Sequence, residues 1–303
     1  MSPADGRPIG PRHLRLPRGR SLLLGDRPRV MGILNITPDS FSDGGKWLDP
    51  ERALDHAQSM LEDGAEILDL GAESTRPGGG VYGSGARTLT AQEELDRLLP
   101  VLEPLRRATD APLSVDTRKG AVARAALTAG ADLINDVGGL ADDDLLAAVA
   151  TAGCPVIAMH SRGDIATMQR SIAFRDVVAE VGAELGAIAR RALDAGIEAA
   201  QVLLDPGIGF GKTATQNLEL LAHLDRLGTT SAGRFPLLVG ASRKSFLASV
   251  RPAPPDHRLG GSLAAAAWSA QSAVAMIRVH DVAETIQFLE VWNAIHLARS
   301  ARG

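Results

Sequence analysis

The sequence predicts a single (β/α)8 barrel of the α/β class, the TIM-barrel architecture, over residues 30–299, behind a short irregular N-terminal arm and lead-in strand at 1–29. Three observations carry that expectation. Short apolar runs alternate eight times with longer amphipathic patterns, with no break in composition. The runs are close to continuously apolar, as strands covered on both faces are. Each run also ends at or just before a polar residue, which suits a fold whose strand ends converge on one face. A doubly wound parallel sheet would use the same units, but eight in succession without a long insertion favour closure.

Taken in order, residues 1–29 are rich in Arg, Pro and Gly, and "SLLLG" (21–25) is too short for the apolar core of a signal peptide. "VMGILNI" (30–36) is the first strand, and "PERALDHAQSMLEDGA" (50–65) is the helix behind it, with apolar residues at three- and four-residue spacing. "EILDLG" (66–71), "LSVDT" (113–117), "LINDV" (133–137) and "PVIAMH" (155–160) are the next four strands. A long helical pattern over 171–197 leads to "VLLDPG" (202–207) and then "PLLVGAS" (236–242). The Pro-rich connection "RPAPPDH" (251–257) precedes the seventh helix, and "MIRVHD" (276–281) is the last strand.

With 303 residues and 45% hydrophobic content, the chain can bury a large core. A formal charge of -4 gives no reason to expect nucleic acid as a partner, although local basic clusters still suit small anions. The single cysteine, Cys154, excludes an intrachain disulfide, fits a reducing compartment and reads as a buried small hydrophobe. No stretch approaches a membrane span, so a soluble cytoplasmic protein is expected.

The strand ends carry the chemistry. Asn35, Glu73, Asp116, Asn135, His160, Asp205, Ser242 and His280 lie at or just beyond them. Any one could be a helix cap or a satisfied turn residue, but capping explains the set poorly, because polar residues and glycines follow several of them. Asp116 in "SVDTRK" would be costly as a buried carboxylate without donors. Asn135 and Asp136 offer donors and acceptors together. "DPGIGFGK" joins Asp205 to a glycine-rich turn and Lys212, and it lacks the GxxxxGK[ST] spacing of a phosphate-binding loop.

"GASRKSF" adds Ser242, Arg243 and Lys244, and Arg278 and His280, two apart, share one face of their strand. Arg278 could equally pair with an interior carboxylate. No HxH or HExxH spacing suggests a metal site built on histidines. Carboxylates and amides beside Arg76, Lys244, Arg278 and His280 would match a polar heterocycle carrying a phosphate.

Eight stretches in order, "NITPDSFSDGG", "GAESTRPG", "SVDTRK", "INDVGG", "MHSRG", "DPGIGFGK", "GASRKSF" and "RVHDV", resemble the dihydropteroate synthase family over nearly all of residues 30–295. The resemblance implies condensation of 6-hydroxymethyl-7,8-dihydropterin pyrophosphate with 4-aminobenzoate in folate biosynthesis, by a transferase that is a homodimer using Mg2+. It implies that Asp116, Asn135, Met159, Asp205, Phe210 and Lys244 receive the pterin, with Asp116, Asp205, Lys244 and Arg278 as the catalytic group. Pyrophosphate would lie against Asn35, Thr75, Arg76, Arg278 and His280, with Mg2+ held partly by Asn35. Aminobenzoate would meet Phe41, Pro77 and Ser242, while Thr37, Asp39, Ser40 and Ser42 would form a polar flap.

Ser161 and Ser272 depart from the family pattern, neither at a proposed ligand contact. A methyltetrahydrofolate methyltransferase would share the Asp and Asn contacts but would not need "STRPGG" or "SRKS". A non-catalytic pterin-binding paralogue would have lost anion-handling residues that are kept here, and a metal-dependent barrel hydrolase would want histidines where Asn35-Ile36-Thr37 stand.

Overall fold

Eight short parallel strands form the sheet that the alternation predicts, each followed by helical structure. The structure is a computed structural model that describes residues 12–25, 27–37, 50–74, 88–163, 168 and 172–300. In chain order the strands begin with β1 (Arg12–Leu16), β2 (Arg20–Leu24), β3 (Arg29–Asn35), β4 (Ile67–Gly71), β5 (Leu113–Asp116) and β6 (Leu133–Asp136). They continue with β7 (Val156–Met159), β8 (Val202–Asp205), β9 (Thr229–Thr230), β10 (Gly233–Arg234), β11 (Leu238–Val239) and β12 (Met276–Val279). The helices are α1 (Pro50–Glu62), α2 (Ala91–Ala108), α3 (Gly120–Ala129), α4 (Asp143–Ala152) and α5 (Val177–Asp194). After them come α6 (Ala214–Ala222), α7 (Leu224–Leu227), α8 (Ser245–Val250), α9 (Leu259–Gln271) and α10 (Val282–Ser300).

The sheet runs β11-β12-β3-β4-β5-β6-β7-β8. Its ends meet where Leu204 bridges Leu237 and the Leu204 N–H donates to the Pro236 carbonyl at 3.0 Å. That contact closes the barrel. Outward-facing strand residues such as Leu68, Val115, Ile134 and Val156 pack with Leu98, Leu102, Val122 and Leu185 of the helices in one continuous core. Helix starts are set locally: Thr90 and Glu93 cap α2 reciprocally, as Thr213 and Gln216 cap α6, and the Asp142 carboxylate accepts the Leu145 N–H. Cys154 is buried in this core, and burial pushes its thiol up to about 12, which leaves it an inert hydrophobe.

Residues 12–24 correct the expectation of an irregular arm. β1 and β2 pair antiparallel through a tight turn in which Arg18 and Gly19 take positive φ. Leu14 and Leu24 close over Met31, Ile67, Leu133, Ile157, Leu203, Leu238 and Met276, the inward residues at the N-terminal ends of the strands. The hairpin is thus the barrel's floor. Its latch is electrostatic: the wholly buried Asp132 carboxylate takes Arg18 at 2.6 Å, Arg20, Arg106 at 3.0 Å and the Leu113 N–H at 2.9 Å. Gln201 adds a two-way clamp on the backbone of Arg15.

The departures at Ser161 and Ser272 are accommodated simply. Ser161 donates to the Val137 carbonyl at 3.1 Å. Ser272 follows α9 at φ −86, open to any residue, and the left-handed position falls on Ala273 instead.

Candidate active site

Side chains alternate along a strand, so every second one faces the barrel interior. At the floor these inward residues are apolar. One step higher the layer includes Asp69 and Arg278, and at the strand ends it includes Asn35, Asp116, Asn135, Met159 and Asp205. The change from apolar to polar along the same strands converts a packed core into a site at the C-terminal face.

Arg278 is the hub of that layer. Its Nε donates to Asp69 Oδ2 at 2.5 Å and its Nη2 to Asp116 Oδ2 at 3.2 Å. Asn135 donates to the same Asp69 oxygen at 3.0 Å. Arg278 therefore does pair with interior carboxylates, and four strands lock one another's polar side chains. Asp69 is wholly buried and was absent from the sequence-derived site. Burial drives the Asp116 carboxyl up to about 8, against the pull of Arg278 and with Asp69 adding repulsion. Asp116 Oδ1 is buried without a hydrogen-bond partner among the described residues, a polar position left for something else.

Beyond β8 the chain turns sharply through Gly207 and Gly209. The Gly207 N–H donates back to Asp205 Oδ1 at 2.7 Å and the Gly209 N–H to Asn217 Oδ1 at 2.6 Å. Both glycines have positive φ, and a Cβ at Gly207 would sit 2.0 Å from the His160 carbonyl oxygen, so the tight turn admits no side chain. Phe210 ends the turn with its ring 4.4 Å from Lys244 Nζ, and Lys244 also donates to the Ile208 carbonyl. Burial pulls Lys244 down to about 8, with Asp205 and Asp116 pulling upward and Arg278 downward. Burial likewise raises Asp205 above the usual carboxylate range, while Lys244 and the Gly207 hydrogen bond hold it back.

Ser242 and Lys244 reach the site because Arg243 between them takes φ 57 and turns away to Asp281. The His280 N–H donates to Ser242 Oγ at 3.2 Å, and Ser242 Oγ lies 3.0 Å from His280 Nδ1. Ser242 Oγ accepts the first, and the second contact fixes the orientation of the imidazole. Burial, with Arg278 and Arg243, pushes His280 down to about 3, so it is a neutral donor. Glu73 is committed elsewhere: it accepts the Leu89 N–H and the Lys119 ammonium, each at 2.8 Å. Asp136 accepts the Gly138 and Leu140 N–H groups at 2.6 Å each, which makes it a turn residue.

The structure thus brings together Asn35, Asp116, Asn135, Met159, Asp205, Phe210, Ser242, Lys244, Arg278 and His280, and Thr37 lies half-buried two residues beyond β3. Asp39, Ser40, Phe41, Ser42, Thr75, Arg76 and Pro77 lie outside the described residues. Among the described residues no cluster of three or more His, Cys, Asp or Glu is arranged to hold a metal, and no helix is long and apolar enough to cross a membrane.

Comparison with known proteins points one way. The family profile of pterin binding enzymes matches residues 31–280. The dihydropteroate synthases of Synechocystis sp. and Escherichia coli are 42% and 43% identical, over 92% and 91% of this chain and 94% of each relative. Among solved structures, Xanthomonas albilineans dihydropteroate synthase with 4-aminobenzoic acid superposes with a TM-score of 0.85 at 45% identity, over 94% of this chain and 98% of that one. Burkholderia cenocepacia dihydropteroate synthase complexed with 7,8-dihydropteroate also gives 0.85, at 41% identity over 97% and 99%. The chain belongs to the dihydropteroate synthase family of pterin-binding transferases, enzymes of folate biosynthesis.

Proposed function

We propose that the chain condenses 6-hydroxymethyl-7,8-dihydropterin pyrophosphate with 4-aminobenzoate, that pyrophosphate departs before the amine attacks, and that the layer around Arg278 receives the pterin. The observation that carries this is the buried, unpartnered Asp116 Oδ1 beside Asn135, Asp205 and Lys244. Asp205 keeps one carboxylate oxygen on Gly207 and can offer the other, as an acceptor for a ring N–H or amine. Lys244 is the donor for an oxo group, and Phe210 and Met159 supply apolar walls.

The reaction needs charge management more than acid–base strength. Leaving pyrophosphate accumulates negative charge, and the exocyclic carbon becomes electron-poor until the arylamine attacks. The oriented imidazole of His280 and the guanidinium of Arg278 meet the developing anion without reorganising, which is where electrostatic stabilisation is most effective. The arylamine is uncharged at neutral pH, so no strong general base is required. What the protein supplies is orientation and exclusion of water. Thr75, Arg76, Asp39, Ser40 and Ser42 belong to this proposal as anion and flap residues, and Phe41 and Pro77 as aminobenzoate contacts. Ser242 enters it as the group that orients His280.

The residues present fit Mg2+. Asn35 Oδ1 and Asp116 Oδ2 each come within 3.9 Å of where a Cβ on Gly71 would stand, so the missing side chain leaves room between them. Mg2+ takes few protein ligands and prefers water and substrate phosphate oxygens. Asn35 would hold it, and the ion would neutralise pyrophosphate charge. A homodimer is proposed too, supported by the exposed Trp268 of α9 and Val291, Ile295 and Leu297 of α10. Light scattering tests it, and a monomer at micromolar concentration would refute it.

The decisive experiment incubates purified protein with both substrates and follows pyrophosphate and dihydropteroate together. Equal amounts of both products are expected. A folded sample that binds pterin and yields neither product would establish a binding protein instead.

A further inference from the structure

One buried cation is unused by the reaction as described. Lys212 lies almost wholly buried behind the Asp205–Phe210 turn, against His160, which follows inward-facing Met159 and so points out of the barrel. Its Nζ donates to the Gly207 carbonyl at 3.0 Å and the Phe210 carbonyl at 2.9 Å, and lies 3.0 Å from His160 Nδ1. The other ring nitrogen of His160 lies 2.8 Å from Glu184 Oε2, and Glu184 is gripped by Arg162. Every proton at the first of these contacts belongs to the ammonium, so His160 accepts at Nδ1 and donates from Nε2 to Glu184. A line of three side chains therefore joins the underside of the pterin turn to helix α5.

We propose that Lys212 is a positioning residue for pterin binding: its ammonium, held by His160 and Glu184, fixes the Gly207 and Phe210 carbonyls and so aims Asp205 and Phe210 at the ligand. This rests on the reading of the barrel mouth as a pterin site. The stoichiometry of the contacts gives the device its chemistry. Three acceptors surround Nζ, and an ammonium serves all three. A neutral amine has two N–H groups and no charge, so on deprotonation the three acceptors are no longer all served and the charge-assisted grip on the two carbonyls weakens.

That release falls in an accessible range. Burial pulls Lys212 down to about 7, with Lys244 and Arg162 adding to the fall while Asp205 and Glu184 oppose it. The facing groups are thus His160 and Arg162 beyond β7, Glu184 of α5, Asp205 of β8 and Lys244 ahead of α8. His160 stays neutral throughout, since burial and Lys212 push it down to about 4.

The test is titration of the protein with oxidised 6-hydroxymethylpterin, which cannot react, from pH 6 to 9 by calorimetry. Wild-type affinity should change in two steps, near pH 7 for Lys212 and near 8, where Lys244 and Asp116 both titrate. Lys212→Met should weaken binding at pH 6 at least ~10-fold and abolish the lower step, while the aminobenzoate KM stays within ~2-fold. Glu184→Gln, on the accessible end of the line, should move the lower step to more acidic pH, because the anion that supports the ammonium is gone.

Lys212→Met with wild-type affinity and an intact lower step would overturn the proposal. If that variant does not fold, an unmoved step in Glu184→Gln overturns it alone. A wild-type protein that does not bind the pterin refutes the function reading itself, whereas a binding wild type with an indifferent Lys212 refutes only this role.

Discussion

Asp69→Asn tests the polar layer most directly, because Asp69 touches no proposed substrate atom and yet receives both Arg278 and Asn135. The substitution keeps the shape and one acceptor but removes the charge. Losing one partner of a buried ion pair costs about 3–5 kcal/mol when nothing replaces it. Arg278 retains Asp116 at 3.2 Å, and an amide oxygen can still accept one hydrogen bond, so the expected loss is about 2–3 kcal/mol. For a chain of 303 residues that lowers Tm by about 3–5 °C.

A second effect separates this from general damage. Asp69 repels the Asp116 carboxylate, which burial has already driven up to about 8. With Asp69 neutral and Arg278 left to Asp116 alone, the Asp116 pKa must fall. Thermal unfolding by circular dichroism reads the first effect, and 13C-detected titration of the Asp116 carboxyl reads the second. A Tm within ~1 °C of wild type, or an Asp116 that titrates unchanged, would refute the role given to Asp69.

Other outcomes follow from the same geometry. Asp205→Asn should weaken pterin binding at least ~10-fold, because an amide offers one acceptor where a carboxylate offers two, and unchanged affinity in a calorimetric titration would remove Asp205 from the site. Gly209→Ala should displace Lys244, since a Cβ there would stand 2.7 Å from Lys244 Cδ at a φ of +86; pterin affinity should drop more than aminobenzoate affinity, and equal losses would contradict this. His280 and His160 are held neutral at about 3 and about 4, below the ordinary 6.5. Their contribution to stability is intact above pH 6.5 and is lost as pH falls toward those values, at up to about 1.4 kcal/mol per pH unit for each. Urea unfolding of His280→Asn should show one share of that acid slope missing between pH 6.5 and 4, and an unchanged slope would refute it. Asp132→Asn should loosen the hairpin and lower Tm by several degrees without changing pterin affinity; a weakened ligand grip would show that the floor and the site are coupled.

The barrel was legible because its strands are apolar on both faces and its helices keep a regular period, signals that survive without tertiary information. Most of the site was legible for a related reason: a residue such as Asp205 that ends an apolar run stands out. Asp69 did not stand out, although it lies inside "EILDLG". Attention to the last polar residue of each strand selects the rim, and Asp69 sits one inward step below it, visible only once Arg278 is seen to reach across the barrel. The hairpin was hidden by composition. Arginines at 12, 15, 18 and 20 read as a solvated arm, whereas Leu14 and Leu24 were the positions that mattered and several of the arginines serve Asp132. Lys212 read as a failed phosphate loop because sequence does not say which side of a turn a lysine occupies.

The sealed floor has a kinetic consequence. Leu14 and Leu24 close one end of the barrel, so a ligand reaches the polar layer from the other. A ligand seated beside Arg278 is the first in and the last out, and whatever binds above it blocks its exit. With the pterin seated beside Arg278 as proposed, turnover would be a queue: aminobenzoate would wait for the pterin, and excess aminobenzoate arriving early would delay it without competing for any of its contacts.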